Sequence, residues 1–316
     1  MSDVDRHPND STGRTHEPEV DTPPMLFRAR RDGMRLDRVI ADAVACSRRQ
    51  ARAMIRSGYA RVNGRVISTA VPLSAGDEIS LARVRPEVAT VPAHAFRVVW
   101  RGDDFWVLDK PAGVHTHAGR SPISVAAALR SAHPGFGGIG TADEGGLVHR
   151  LDRDTSGILL AAFNTAAYET LRAEFAARAI AKQYWAIVRG CVSGVLSIDR
   201  PLARRTTRVV PARRGDRAYP AVSRVTPLES TPDWSLVEVE MRTGVTHQVR
   251  AHMAFAGHAL VGDAKYGGPA APAGTRDGQL LHARSILLPD GRSFSAAAPE
   301  DFVRAIYRLR RYGLGA

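Results

Sequence analysis

The chain has 316 residues, of which 44% are hydrophobic, and a formal net charge of +12. This length accommodates two domains and a tail, and the positive charge favours a polyanionic partner. No apolar run is long enough to cross a membrane and no apolar signal segment stands at the start, so we expect a cytoplasmic protein with no membrane partner. The two cysteines are far apart, which argues against a disulfide scaffold and a cysteine zinc site.

The charge is unevenly distributed along the chain. Residues 1–24 contain six acids and two arginines, and we predict that they form a disordered acidic tail. Residues 25–85 contain thirteen arginines and five acids, which gives this segment a net charge of +8. Such a concentration of positive charge indicates a module that binds RNA or DNA.

Within residues 35–57, the spacing of apolar residues predicts two short helices with a break near Ala45–Ser47. Asn63-Gly64 predicts a hairpin turn, and a further strand follows Gly76-Asp77. The exposed side of the second helix carries a basic stripe, which consists of Arg48, Arg49, Arg52 and Arg56. A solvated basic face without a partner is the alternative to a nucleic-acid contact.

The order of these elements, with Arg35-Leu36-Asp37, Val62-Asn63-Gly64 and Gly76-Asp77, resembles the S4 RNA-binding domain. We therefore predict an S4-like domain over residues 25–85, and the resemblance implies that the basic stripe contacts RNA. A linker over residues 86–98 and a larger domain over residues 99–316 follow.

The larger domain mixes strands and helices without a strict βαβ alternation. The patterns predict strands at 104–110, 146–152, 157–164, 181–190 and 234–244, a hairpin over 280–296, and helices at 124–132, 165–180, 246–257 and near the C-terminus. We expect the second of these strands to lead into Asp152, and Thr246 to cap the third helix. The fold class is therefore α+β, a small S4-like αα-β module followed by a mixed, largely antiparallel sheet.

The stretch "HRLDRDTSG" (149–157) places Asp152 between two arginines, before a tight turn. Neighbouring cations favour an ionised carboxylate, and an ionised carboxylate suits a nucleophile or a base. A surface turn with local ion pairs is the alternative. Asp152 and Asp154 also suggest a carboxylate pair for glycosidic cleavage.

Other chemistries lack their sequence patterns. The chain has no phosphate-binding loop and no serine-hydrolase elbow. His247 and His252 are five residues apart, so they do not share one helix face as zinc ligands do. We expect no metal and no nucleotide cofactor.

The stretch "GLVHRLDRDTSGILLAA" resembles the central motif of the RluA family of pseudouridine synthases. Three other stretches resemble the remaining family motifs in the same order, namely "DKPAGVHTHAG" (109–119), "AKQYWAIVRG" (181–190) and "RTGVTHQVRAHMAFAGHALVGDAKYG" (242–267). The resemblance spans residues 35–305, and the family also places an S4 domain before the catalytic domain. It implies isomerisation of uridine within RNA, without a cofactor, and we expect a monomer.

The resemblance also implies roles for individual residues. Asp152 would be the catalytic carboxylate, acting by attack or by abstraction of a sugar proton. Arg150 would fill the space left by the flipped base, Tyr184 would stack on uracil and help proton transfer at carbon, and Arg250 would pair with Asp152. Large-subunit ribosomal RNA is the first substrate candidate, and transfer RNA remains open.

Two features depart from the family pattern. Val245 stands where the third motif usually has arginine, and residues 203–217 hold six arginines and one acid, which form either an RNA contact or a solvated surface. A non-catalytic S4-type RNA-binding or ribosome-associated protein, and an RNA N-glycosidase that uses Asp152 and Asp154, are the competing functions.

Overall fold

The computed structural model describes residues 24–43, 48–56, 58–81, 96–117, 123–132, 139–141 and 144–314. The chain divides into two compact units, Met1–Glu87 and Val88–Ala316. The predicted acidic tail, apart from Pro24, and most of the predicted linker lie outside the described residues. Within the described ranges, no helix has both the length and the apolar character that a membrane span requires.

The first unit combines two helices with short antiparallel strands. Its elements are β1 (Met25–Arg28), β2 (Met34–Arg35), α1 (Leu36–Ala43), α2 (Arg48–Arg56), β3 (Ala60–Val62), β4 (Arg65–Val66), β5 (Pro72–Leu73) and β6 (Glu78–Leu81). Four strands pair in the order β1-β6-β3-β4, and β2 pairs with β5. The two predicted helices are thus confirmed. Residues 44–47, where we predict the break between them, lie outside the described part of the chain.

Burial of apolar side chains and one tight hairpin turn explain the fold of the first unit. Leu36 and Ile40 of α1, Ile55 of α2 and Ile79 of β6 have no exposed surface, so the apolar helix faces close on the sheet. The turn between β3 and β4 contains Asn63-Gly64, and both residues have positive φ angles, 49° and 80°. Such angles are those of the tight hairpin turn that the dipeptide predicts.

The second unit contains the larger sheet. Its elements are β7 (Arg97–Arg101), β8 (Phe105–Lys110), α3 (Val125–Ala132), β9 (Ser156–Ala162), α4 (Thr165–Ala176), β10 (Ala181–Arg189), β11 (Leu196–Asp199), β12 (Leu202–Arg204), β13 (Val209–Pro211), β14 (Ala218–Tyr219), β15 (Val222–Ser230), β16 (Trp234–Met241), α5 (Gln248–Phe255), a 3-10 turn (Ala264–Tyr266), β17 (Leu281–Leu287), β18 (Ser293–Ser295) and α6 (Glu300–Tyr312).

Eight strands pair in the order β11-β15-β16-β10-β17-β9-β8-β7, and β18 pairs with β17. All pairs are antiparallel except β9 with β17, which confirms the predicted mixed, largely antiparallel sheet. Every residue of β9 is buried, and its alternate side chains enter two different apolar clusters. The sheet is therefore covered on both faces, and its central strands provide rigid support for a site.

The strand predicted over residues 146–152 is wrong. Only Leu147 makes an isolated bridge to β9. Beyond it, the imidazole Nε2 of His149 accepts the hydrogen bond of the Leu160 N–H at 3.0 Å, so a side chain replaces the backbone partner that a ladder needs. Burial lowers the pKa of His149 to about 3, which keeps this acceptor neutral.

One further expectation differs from the structure, and the arginine-rich segment is partly folded into strands. Thr246 does not cap α5, because the cap residue is His247 and the Thr246 hydroxyl accepts a hydrogen bond from Arg204. The basic segment 203–217 contains β13 and most of β12. It contributes to a small sheet of order β13-β12-β14, whose buried Leu202 and Val209 form an apolar cluster with Ala251 of α5.

Candidate active site

A cavity of about 620 Å³ lies within the second unit. Its lining includes Arg150, Asp152, Tyr184 and Arg250, so the structure brings together the four residues that the sequence proposes for substrate chemistry. Arg150 is exposed, Asp152 is partly buried, and Tyr184 and Arg250 are buried. The volume lies in the range of ordinary small-ligand sites.

Two side chains from the "DKPAGVHT" segment hold the backbone on either side of Asp152. The hydroxyl of Thr116 donates to the carbonyl of Leu151 at 2.7 Å and accepts from its N–H at 3.1 Å. The ammonium of Lys110 donates to the carbonyl of Arg153 at 2.8 Å. These bonds satisfy buried backbone groups that have no strand partner, and they fix the position of Asp152.

Lys110 has no exposed surface, and its Nζ also donates to the carbonyls of Pro111 and Val114, both at 2.8 Å. Burial lowers the pKa of Lys110 to about 7, although the charge of Asp154 opposes this shift. Because all three of its donors are used by backbone carbonyls, Lys110 joins the first motif to the central motif.

The carboxylate of Asp152 is bound by Arg250, which lies on α5. The Arg250 Nη1 donates to Asp152 Oδ2 at 2.9 Å, while its Nε and Nη2 each donate to Asp263 at 2.7 Å. The Asp263 side chain is 1% exposed, and the ring of Tyr266 lies 5.1 Å from the Arg250 guanidinium. Asp263 thus fixes the orientation of the Arg250 guanidinium, whose remaining nitrogen binds Asp152.

These interactions also decide the protonation state of Arg250. Burial lowers the pKa of Arg250, but its hydrogen bonds to Asp263 and the charges of Asp152 and Asp263 outweigh burial and raise it above its usual value. Arg250 therefore carries a permanent positive charge, and its Nη1 lies 2.9 Å from Asp152 Oδ2.

Tyr184 stands in the middle of β10, between β16 and β17. Burial and the charge of Asp152 raise the pKa of Tyr184 above its usual range. Its phenol is therefore protonated at neutral pH, and it presents an aromatic face with a hydroxyl donor. Lys182, two residues earlier, points to the same side of the strand and also lines the cavity.

Four other residues at the site, Lys182, His247, Asp263 and Tyr266, are not predicted from the sequence, where His247 stands out only as a rejected metal ligand. His247 Nε2 lies 3.6 Å from Asp152 Oδ1. The sequence does contain one indication of these four residues. Each lies within a motif stretch that already contains a proposed site residue, either Tyr184 or Arg250. Among the described residues, no group of three or more His, Cys, Asp or Glu is arranged to hold a metal ion.

Asp154 lines a different cavity from Asp152. This second cavity, of about 680 Å³, contains Arg153, Arg276 and Asp301 as well as Asp154. Asp154 packs against Gly278. The φ of Gly278 is 88°, and a Cβ at this position would lie 2.7 Å from the Cβ of Asp154, so only glycine fits there. The two carboxylates therefore do not face one common substrate site, as paired glycosidase carboxylates must.

The basic stripe of α2 is partly engaged within the first unit. The fully buried Asp37 accepts from Arg52 Nε at 2.6 Å, from Arg48 Nη2 at 3.1 Å and from Arg35 Nε at 3.1 Å. Burial raises the pKa of Asp37, but the three arginine hydrogen bonds outweigh it and lower the pKa to about 2. Arg56 is exposed, and the side chain of Arg49 lies outside the described residues.

Residues 104–255 match the RNA pseudouridylate synthase family, and residues 34–79 match the S4 domain. An uncharacterized RNA pseudouridine synthase of Bacillus subtilis is 33% identical over 84% of this chain and 91% of its own. The ribosomal large subunit pseudouridine synthase D of Vibrio parahaemolyticus is 30% identical over 89% of this chain and 94% of its own. The solved structure of human RNA pseudouridylate synthase domain containing 4 is 25% identical, with a TM-score of 0.55 over 67% of this chain and 92% of that one.

Proposed function

This chain belongs to the RNA pseudouridylate synthase family and is an RNA isomerase, and we propose that Asp152 is its catalytic carboxylate and large-subunit ribosomal RNA its substrate. One observation carries the proposal. Asp152 is held by Arg250 inside a cavity that also presents Tyr184, at the centre of the motif shared with the family. The relatives named for the ribosomal large subunit support the choice of RNA.

The reaction breaks the bond between uracil N1 and the ribose C1′, turns the base, and forms a bond from C5 to C1′. The proton on C5 is lost and N1 gains one, so the mass of the RNA does not change. A uridine in folded RNA has to leave its stack before it reaches a recessed carboxylate. The exposed Arg150 at the cavity is suited to occupy the space that the base leaves.

Arg250 binds Oδ2 of Asp152, which leaves Oδ1 as the oxygen free for chemistry. That oxygen attacks the sugar or removes a sugar proton, and both routes use the carboxylate as an anion. Tyr184 stacks on the uracil with its ring, and its protonated hydroxyl enters the reaction as a hydrogen-bond donor.

Arginines around the cavity provide phosphate contacts. Arg172, Arg178 and Arg204 line it together with Arg150, and Arg204 belongs to the arginine-rich segment 203–217. Contacts of this kind position an RNA strand without reading its sequence. The S4 domain adds further basic surface, of which Arg56 is an exposed part. A monomeric state and a cytoplasmic location stay predictions.

The test is the replacement Asp152→Asn, with Asp154→Asn as a matched control from the neighbouring cavity. We expect Asp152→Asn to abolish tritium release from RNA labelled at uracil C5 and to keep RNA affinity within about threefold, because phosphate contacts lie elsewhere. Asp154→Asn should keep measurable activity. Near-normal tritium release by Asp152→Asn would refute the assignment of the carboxylate.

Mass spectrometry of the product RNA separates the competing functions. Isomerisation conserves mass, an N-glycosidase removes a base, and a non-catalytic binder leaves the uridine unchanged. Assays on large-subunit ribosomal RNA and on transfer RNA decide the substrate. Activity on transfer RNA alone would refute the choice of ribosomal RNA and leave the carboxylate assignment intact.

A further inference from the structure

We propose that His247 is a positioning residue for Asp152, held as the neutral tautomer with its proton on Nε2 and directed at the carboxylate oxygen that Arg250 leaves free. This inference rests on the proposed catalytic role of Asp152. His247 belongs to the third motif stretch, residues 242–267.

The tautomer follows from a short chain of hydrogen bonds. The backbone N–H of Val209, which can only donate, lies 3.0 Å from the hydroxyl of Tyr266, so the tyrosine oxygen accepts there. The same oxygen lies 3.0 Å from Nδ1 of His247. Its one proton is free to donate to Nδ1, and a neutral imidazole that accepts at Nδ1 carries its proton on Nε2.

The backbone directs this N–H toward Asp152. His247 has φ 56° and ψ 23°, a left-handed conformation that is uncommon outside glycine, and it precedes the first turn of α5. Its carbonyl accepts from the N–H of Ala251 at 2.9 Å, so the helix holds the residue in this turn. A conformation of this kind persists where surrounding contacts determine it, and it is often found at functional sites.

The two oxygens of Asp152 thus face two different donors. Arg250 Nη1 lies 2.9 Å from Oδ2, and His247 Nε2 lies 3.6 Å from Oδ1. The second distance is longer than a hydrogen bond, and catalytic contacts of this length commonly shorten when substrate binds. When this contact shortens, His247 limits rotation of the carboxylate and keeps Oδ1 directed into the cavity.

The charges around His247 favour the neutral form. The groups that face it are Asp152, Arg250, Asp263, Lys265 and Tyr266. Burial lowers the pKa of His247, Arg250 and Lys265 act in the same direction, and the two carboxylates oppose them without reversing the shift. A neutral N–H donor orients Asp152 without placing a second cation beside it.

Two variants of the full chain separate the role in positioning from a role in folding. Asn tolerates the left-handed conformation and places its amide near the position of Nδ1, so His247→Asn retains the turn and removes the donor toward Asp152. We expect its single-turnover rate of tritium release to fall about 10- to 100-fold, with the RNA dissociation constant and melting temperature unchanged. His247→Gln, whose amide nitrogen reaches the Nε2 position, should recover part of the rate.

The tautomer is measured by nitrogen-15 NMR of histidine-labelled protein, with the His247 signals assigned by their loss in His247→Asn. We expect the Nε2–H pattern at pH 7, and an altered pattern in Tyr266→Phe, which lacks the donor to Nδ1. An Nδ1–H or cationic imidazole in the unmodified protein would overturn the proposal.

The kinetic outcomes distinguish this inference from the function on which it rests. A wild-type protein without activity on RNA would refute the proposed function and, with it, a catalytic purpose for His247. An active wild type with an equally active His247→Asn variant would refute only the role of His247. A rate loss in His247→Asn that His247→Gln fails to reverse in any part would also contradict the role of the Nε2 donor.

Discussion

Replacement of Arg250 by alanine tests the buried ion network most directly. The Arg250 side chain is 9% exposed, and it makes two hydrogen bonds to Asp263, which is 1% exposed, and one to Asp152. Without Arg250, Asp263 becomes a buried carboxylate with no cationic partner. Loss of one member of such a pair costs about 3–5 kcal/mol of the free energy of unfolding. For a unit of this size, that corresponds to a fall in melting temperature of roughly 6–20 °C.

The control is Arg310→Ala on α6. Arg310 also binds a carboxylate through two nitrogens, because its Nε and Nη2 both donate to Glu229, but its side chain is 60% exposed. An exposed pair contributes less than about 1 kcal/mol. Melting curves and single-turnover rates of both variants should therefore show a large loss of stability and activity for Arg250→Ala, and a small change in stability with normal activity for Arg310→Ala.

Arg250→Lys refines the comparison. It keeps the positive charge but loses the planar fork that binds two oxygens of Asp263 at once, so its stability should lie between wild type and Arg250→Ala. Equal melting temperatures for Arg250→Ala and Arg310→Ala would refute the argument that burial makes the Asp263 pair costly to break. Normal turnover by Arg250→Ala would refute its role beside Asp152.

Three other replacements test separate parts of the protein. Tyr184→Phe removes only the hydroxyl, so RNA affinity and melting temperature should persist while single-turnover rate falls; an unchanged rate would exclude a role for the hydroxyl. Folding lowers the pKa of Asp37 from 3.8 to about 2, so its stabilisation of the first unit is present above the unfolded pKa and is lost as pH falls through the folded value. Acid melts should show this loss in wild type and not in Asp37→Asn, and identical acid profiles would contradict it. If Arg56 contacts one phosphate, Arg56→Gln should reduce the slope of log binding constant against log salt concentration by about 0.7–0.9. The control Arg311→Gln on α6 should leave this slope unchanged. Equal slopes for Arg56→Gln and wild type would exclude the contact.

Several elements of this fold can be predicted because their signals are local. The turns at Asn63-Gly64 and Asp290-Gly291 occur where those dipeptides stand, since the positive φ angles of Asn63, Gly64 and Gly291 favour asparagine or glycine. The apolar run of β9 and the helical spacing of α4 also predict their elements directly. The segment 146–152 also contains apolar residues, Leu147, Val148 and Leu151, and is not a strand, because a strand also needs partner backbone groups.

The sequence by itself indicated the family, the two-part organisation and Asp152 as the candidate catalytic carboxylate, because motif residues and charge are properties of the chain alone. Only the tertiary structure decided what surrounds that carboxylate. Arg250 follows Asp152 by 98 residues, and Thr116 precedes Leu151 by 35. Which donor lies against which oxygen depends on how β8, β10 and α5 pack together, and this packing is set by long-range contacts that no local window of sequence contains. The proximity of His247 to Asp152 is likewise a long-range contact, so it is visible in the folded structure and not in the sequence.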